Sequence, residues 1–166
     1  MRSSTIHPIL RFSIIAILIV SAIFHISNLG KKVYWKDEAW TALRLSGHSN
    51  LELIQTMSQR GFTADDLRPF QETNNGRTLR DTLQSLETDD AHLPPPYFVI
   101  TRLWMQVFGD TVASSRFPAA AISVLAFPMA YWLCLELFGT TLAAWIGTAI
   151  IAVSPFHLIY AHEARF

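Results

Sequence analysis

Three long apolar stretches interrupt an otherwise polar chain. Residues 12–29, 112–138 and 142–160 carry at most two charged side chains apiece. At 1.5 Å of rise per residue, a helix over each is about long enough for the roughly 30 Å hydrocarbon layer of a bilayer. The pattern predicts an all-α integral membrane protein with three transmembrane helices, at about 9–29, 112–138 and 141–160. An outer loop occupies 30–93 and an interfacial amphipathic helix 95–108. The alternative for the first stretch is a cleaved signal peptide. Ser21-Ala22-Ile23 offers only a poor small-residue cleavage site after an apolar run longer than such peptides use.

The polar loop has helix signals of its own. Asp37 can cap a short helix through Trp40 and Leu43 that stops at Gly47. Ser49 and Glu52 form a capping-box pair ahead of Leu53, Ile54 and Met57, with Gly61 as the stop. Asn74-Asn75-Gly76 reads as a turn, after which Leu79, Leu83 and Leu86 repeat at helical spacing. The loop is therefore a small helical cap. Pro94-Pro95-Pro96 breaks the chain, and the helix that follows to Phe108 places Arg102 and Gln106 on its polar side. A dozen residues rise only about 18 Å, too short to cross, so this piece lies in the membrane interface. Pro118 and Pro128 predict bends in the second span, and Pro155 falls close to the end of the third.

Charge sets the orientation. Arg2 and Arg11 precede the first span, which places the amino terminus in the cytoplasm and Asp37 outside. Two further crossings return the chain outside, so His162-Glu163-Ala164-Arg165 emerges on the same face as Asp37-Glu38. The expected location is the inner or plasma membrane, with the loops that carry chemistry extracytoplasmic. A formal net charge of zero argues against nucleic acid as partner. The single cysteine, Cys134, excludes an internal disulfide. Three spans make a poor bundle around a site, and the stop at Phe166 reads as that of a truncated gene or a fragment.

Two acidic groups carry the candidate chemistry. Asp37 could take a proton from an attacking hydroxyl, with Glu38 holding the acceptor or a divalent metal ion. Equally, Asp37 could be a helix cap and Glu38 a first-turn acid favoured by the helix dipole. Glu163 and Arg165 could form a second acidic site and a phosphate clamp, or simply a solvated helix end. Asp90 and His92, before the prolines, could bind metal or acceptor, or belong to a turn. There is no glycine-rich phosphate loop, His-Glu-x-x-His, nucleophile elbow or cysteine pair to compete.

Several of these pieces match a known pattern in order. Tyr34-Trp35-Lys36-Asp37-Glu38-Ala39, Asp90-Ala91-His92-Leu93-Pro94-Pro95-Pro96-Tyr97-Phe98, Arg102-Leu103-Trp104 and Phe108-Gly109-Asp110 come first. Arg116-Phe117-Pro118-Ala119-Ala120, Leu137-Phe138-Gly139, Ser154-Pro155-Phe156-His157 and His162-Glu163-Ala164-Arg165-Phe166 follow. Together they resemble the amino-terminal part of the multi-spanning GT-C glycosyltransferases of the protein O-mannosyltransferase and lipid A aminoarabinose transferase type, glycosyltransferase family 39. The resemblance implies a membrane hexosyltransferase that passes a sugar, with inversion, from a polyprenyl-phosphate lipid to an acceptor on the extracytoplasmic side. It assigns the catalytic base to Asp37 with Glu38. It assigns metal, donor or acceptor binding to Glu163; Arg165 and His92 join the candidate donor, phosphate or acceptor-binding set from the residue pattern. The chain departs from the family in reading His92-Leu93-Pro94-Pro95-Pro96 where His-Pro-Pro-Leu is usual, and in ending before the many further spans of its relatives. The alternative is a non-catalytic truncated remnant or a partner-binding membrane protein.

Overall fold

The computed structural model describes residues 7–164 of the 166-residue chain. Eight α-helices are present among them, and no strand: α1 (Pro8–Ile26), α2 (Lys36–Ser46), α3 (Asn50–Met57), α4 (Leu79–Asp89), α5 (Pro95–Phe108), α6 (Val112–Phe138), α7 (Thr141–Ala152) and α8 (Pro155–Ala161). A 3-10 helix, Ala64–Phe70, lies between α3 and α4 and has no counterpart in the sequence expectations. The chain divides into two compact units, 1–29 with 119–163, and 30–118 with 164–166.

The first unit consists of α1, most of α6, α7 and α8. Both α1 and α6 are long and apolar enough to cross a membrane. Large apolar side chains, among them Phe12, Ile23, Phe24, Leu125, Trp132 and Ile150, lie exposed on these helices. In water an apolar surface of this kind is unfavourable by roughly 25 cal/mol per Å²; a bilayer removes that penalty. α1 buries only Ile14, Ser21 and His25, residues that share one helical stripe. Against α6, helix α7 comes close at Gly147, where an added Cβ would lie 2.5 Å from the Cys134 sulfur.

The predicted third span is not one straight helix. α7 and α8 meet at a bend of 57°. Pro155 has no N–H and cannot continue a helix from α7, so a new one starts with Ser154 as its cap, whose Oγ accepts from the His157 N–H at 3.5 Å. Pro118 and Pro128 both fall within α6, whose helical run is unbroken from Val112 to Phe138.

The second unit is the helical cap. Trp35, not Asp37, is the N-cap of α2, because the Glu38 carboxylate reaches back to accept the Trp35 N–H at 3.3 Å. α2 ends at Gly47 as predicted. Gly47 has φ +82°, and a Cβ there would meet the Asp81 Cβ at 3.1 Å, so backbone and packing both call for glycine. Ser49 and Glu52 form the predicted reciprocal cap of α3, with Ser49 N–H to Glu52 at 2.9 Å and Glu52 N–H to Ser49 at 3.3 Å.

Helix α5 is amphipathic in a different sense from the one expected. Arg102 is fully buried, not solvated. Its guanidinium donates to the carbonyls of Leu45, Thr73 (3.1 Å) and Arg77 (2.6 Å) and to Thr82 Oγ1 (2.9 Å). The planar fork of arginine suits it to gather several acceptors at once. Phe98 and Met105 are buried on the same side, while Ile100, Leu103, Val107 and Phe108 remain exposed. The outward stripe of α5 is thus apolar. Trp104 stacks between Phe108 and Phe117, at 3.9 and 4.4 Å between ring centroids.

Candidate functional site

Successive turns of α2 place Asp37, Trp40, Thr41 and Arg44 on one face, since residues three, four and seven apart align along a helix. This face lines a cleft of about 470 Å³ whose other residues are Asn50, Asp90, His92 and Leu93. Asp90 is the C-cap residue of α4. The turn from Asp90 to Leu93 is closed by a Leu93 N–H bond to the Asp90 carbonyl at 3.0 Å. Residues more than fifty positions apart in sequence therefore share one small volume.

Arg44 forms the back of the cleft. It is 1 % exposed and donates from Nε to Asp90 Oδ2 at 2.6 Å, from Nη1 to Asp89 at 2.9 Å and from Nη2 to Asn50 at 2.7 Å. Asp89 also accepts the Asn50 N–H at 2.9 Å. One oxygen of Asp90 is thereby committed to Arg44. The other has no hydrogen-bond partner among the described residues. Asp37 is half-buried, and Trp40 and His92 stand at the exposed edge. The cleft thus offers two carboxylates and an imidazole over a buried guanidinium.

Glu38 points elsewhere. Adjacent helical residues project about 100° apart, so when Asp37 faces the cleft its neighbour is carried into the interior. Glu38 is fully buried and holds Arg116 in a two-pronged ion pair, Oε1 to Nε and Oε2 to Nη2, both at 2.7 Å. Oε1 also accepts the Ala164 N–H at 2.9 Å. Arg116 also donates to the carbonyls of Lys32 (3.1 Å) and Val33 (3.3 Å). Burial alone would raise the Glu38 pKa. The Arg116 bonds, the Ala164 and Trp35 amides and the nearby positive charge outweigh burial and hold it below the usual carboxylate value. Tyr34, which donates to the Glu38 carbonyl at 2.9 Å, is pushed up to about 12 by burial and by the Glu38 charge, against a smaller opposing effect of Arg116.

Of the predicted site residues, the structure brings together Asp37, Asp90 and His92. It does not put Glu38 with them. Glu163 is buried at the end of α8, in the other unit. Arg165 lies outside the described residues, as do Arg2 and Phe166. Among the described residues no group of three or more His, Cys, Asp or Glu is arranged to hold a metal ion. Arg44, Trp40 and Asn50 were missed by the sequence reading. Their signal was helical spacing: Trp40 and Arg44 fall three and seven positions after Asp37.

Fold and cleft together define an all-helical protein in which two helices, or three if the bent pair is one span, can cross a membrane. Compared with protein families, curated proteins and solved structures, the chain matches none of them.

Proposed function

We infer that the Asp37 cleft is the acceptor side of a membrane glycosyltransferase that takes its sugar from a polyprenyl-phosphate lipid. One observation carries the reading: Asp37 opens into a cleft with Asp90 and His92, and follows α1, a helix able to cross a membrane, after one short loop. An acid placed so can meet a water-soluble acceptor where a lipid-linked donor is confined to the bilayer surface.

In the proposed reaction Asp37 removes the proton from an acceptor hydroxyl or amine. The acceptor atom then forms its bond to the anomeric carbon from the face opposite the phosphate. The carbon–oxygen bond to polyprenyl phosphate breaks, and the phosphate leaves with the electron pair, so configuration inverts. Asp90 and His92 hold the acceptor. Glu38, committed to Arg116, positions the first turn of α2 and does not touch substrate. Arg165, suited to oxyanion contacts, steadies the departing phosphate, and Glu163, the counterpart of the family's second acidic residue, would hold any divalent metal.

The test is sugar transfer from a radiolabelled polyprenyl-phosphate donor by the full-length protein in proteoliposomes. Asp37→Asn should lower turnover by about 10² to 10⁴, the usual contribution of a general base, with folding unchanged. Transfer retained by that variant removes Asp37 from the base role and leaves the partner-binding reading.

A further inference from the structure

The bend between α7 and α8 is held by two polar side chains of α1 that lie one helical turn apart. Breaking the helix at Pro155 deprives the Ala152 carbonyl of the N–H that a continuous helix would bring to it from residue 156. Ser21 Oγ of α1 donates to that carbonyl at 2.7 Å. One turn on, His25 is fully buried, its Nε2 2.9 Å from Nδ1 of His157 in α8. The other ring nitrogen of His25, Nδ1, lies 2.8 Å from the Ser21 carbonyl, and the ring stands edge-on to Phe127 at 5.4 Å. Ser21 thus secures the end of α7, and His25 the start of α8.

Such a contact has a definite proton count. A carbonyl can only accept, so His25 Nδ1 carries a hydrogen. Neutral His25 then accepts at Nε2, and His157 Nδ1–H is the donor across the bridge. One added proton is tolerated, because one facing nitrogen can still offer a lone pair while the other carries the hydrogen. A second leaves hydrogens on both facing nitrogens and two positive charges in an apolar seam. The bridge therefore survives with zero or one added proton and not with two. The two steps belong to the pair, not to either ring.

We propose that the His25–His157 bridge is a proton-counted latch, holding α8 at its bend against α1 until the pair takes up a second proton and then releasing it. α1 faces the pair with the Ser21 hydroxyl and carbonyl, and α6 with the Phe127 ring, 5.4 Å from His25 and 5.6 Å from His157 between centroids. His162, at the end of α8, directs Nε2 to the Phe24 carbonyl at 2.8 Å, and Glu163 follows it in sequence.

The latch is tested on the full chain in lipid nanodiscs. Spin labels at Ile19→Cys on α1 and Ile159→Cys on α8, both exposed positions, are placed in a Cys134→Ala background. Electron–electron double resonance then reads their separation from about pH 8 to about pH 4, a range that brackets histidine titration. One distance is expected at the upper end, with a second population growing in as the pair becomes doubly protonated. His25→Gln and His157→Gln each leave a single titratable ring, and the second population should be absent from both at every pH. A single distance throughout in the parent protein, or an acid population that persists in either glutamine variant, overturns the proposal. Should His25→Gln fail to fold, the half-buried His157→Gln decides. Independently, ¹⁵N-histidine NMR should show a coupling across the N–H···N bridge at neutral pH that disappears in acid. Its absence at neutral pH also overturns the latch.

Discussion

Arg116 and Arg44 are both buried arginines of the cap, and they differ in what surrounds them. Arg116 and Glu38 are each 0 % exposed, and together they close on backbone groups of residues 32, 33, 35 and 164. Arg44 is equally buried, but its partners Asp89 and Asp90 retain 15 % and 27 % of their side-chain surface. The first arrangement is closed, with both side chains shut off from solvent. The second is open on one side, so a carboxylate that helps to hold Arg44 can still meet a ligand. A buried charge cluster becomes a site when one member keeps access to solvent.

Breaking the closed cluster should have the largest effect on stability. Glu38→Ala leaves Arg116 buried without its counter-ion and is expected to cost about 3 to 5 kcal/mol in equilibrium unfolding by denaturant in mild detergent. Glu38→Leu combined with Arg116→Met should recover most of that loss, because an apolar pair of similar volume carries no stranded charge. If the double variant is as unstable as the single one, the pair contributes more than mutual neutralisation. The pH dependence has a fixed sign. The Glu38 pKa is lower folded than unfolded, so its contribution is present above the ordinary carboxylate pKa of about 4.3 and is lost as pH falls through the folded value. Acid unfolding monitored by circular dichroism should therefore move to higher pH in Glu38→Gln.

The open cluster should respond less. Arg44→Met leaves Asp89 and Asp90 close together, but both reach water, and a loss of about 1 to 3 kcal/mol is expected in the same unfolding assay. Ligand binding in the cleft should suffer beyond this, since Asp90 loses its anchor. Gly47→Ala must hold a left-handed backbone and press on Asp81, at about 1 to 2 kcal/mol. The smallest effect belongs to Arg77, whose 2.5 Å pair with Glu52 has both side chains more than a third exposed. Arg77→Gln should change stability by less than about 1 kcal/mol, and raised salt should erase most of the difference.

Much of the fold was legible from local signals. The long apolar helices showed as apolar runs, and the shorter helices of the second unit showed through Gly47, the Ser49–Glu52 reciprocal cap and the leucine repeat of α4. The sign of the α5 surface was not legible. Arg102 on an amphipathic helix looks like a solvated charge until the carbonyls of residues 45, 73 and 77 are in place to receive it. The neighbouring acids Asp37 and Glu38 likewise look like one motif on paper. Rotation by about 100° between them sends one to the cleft and the other to the interior.

The sequence by itself determined most of the stretches that form helix and which of them are apolar enough for a membrane, because those properties depend on neighbours within a turn or two. Tertiary structure alone decided which charges are buried and which can act. Arg44 joins Asp90 across 46 positions and Glu38 joins Arg116 across 78. The free energy of an ionised side chain depends on which groups surround it after folding, and no local pattern in the chain records that.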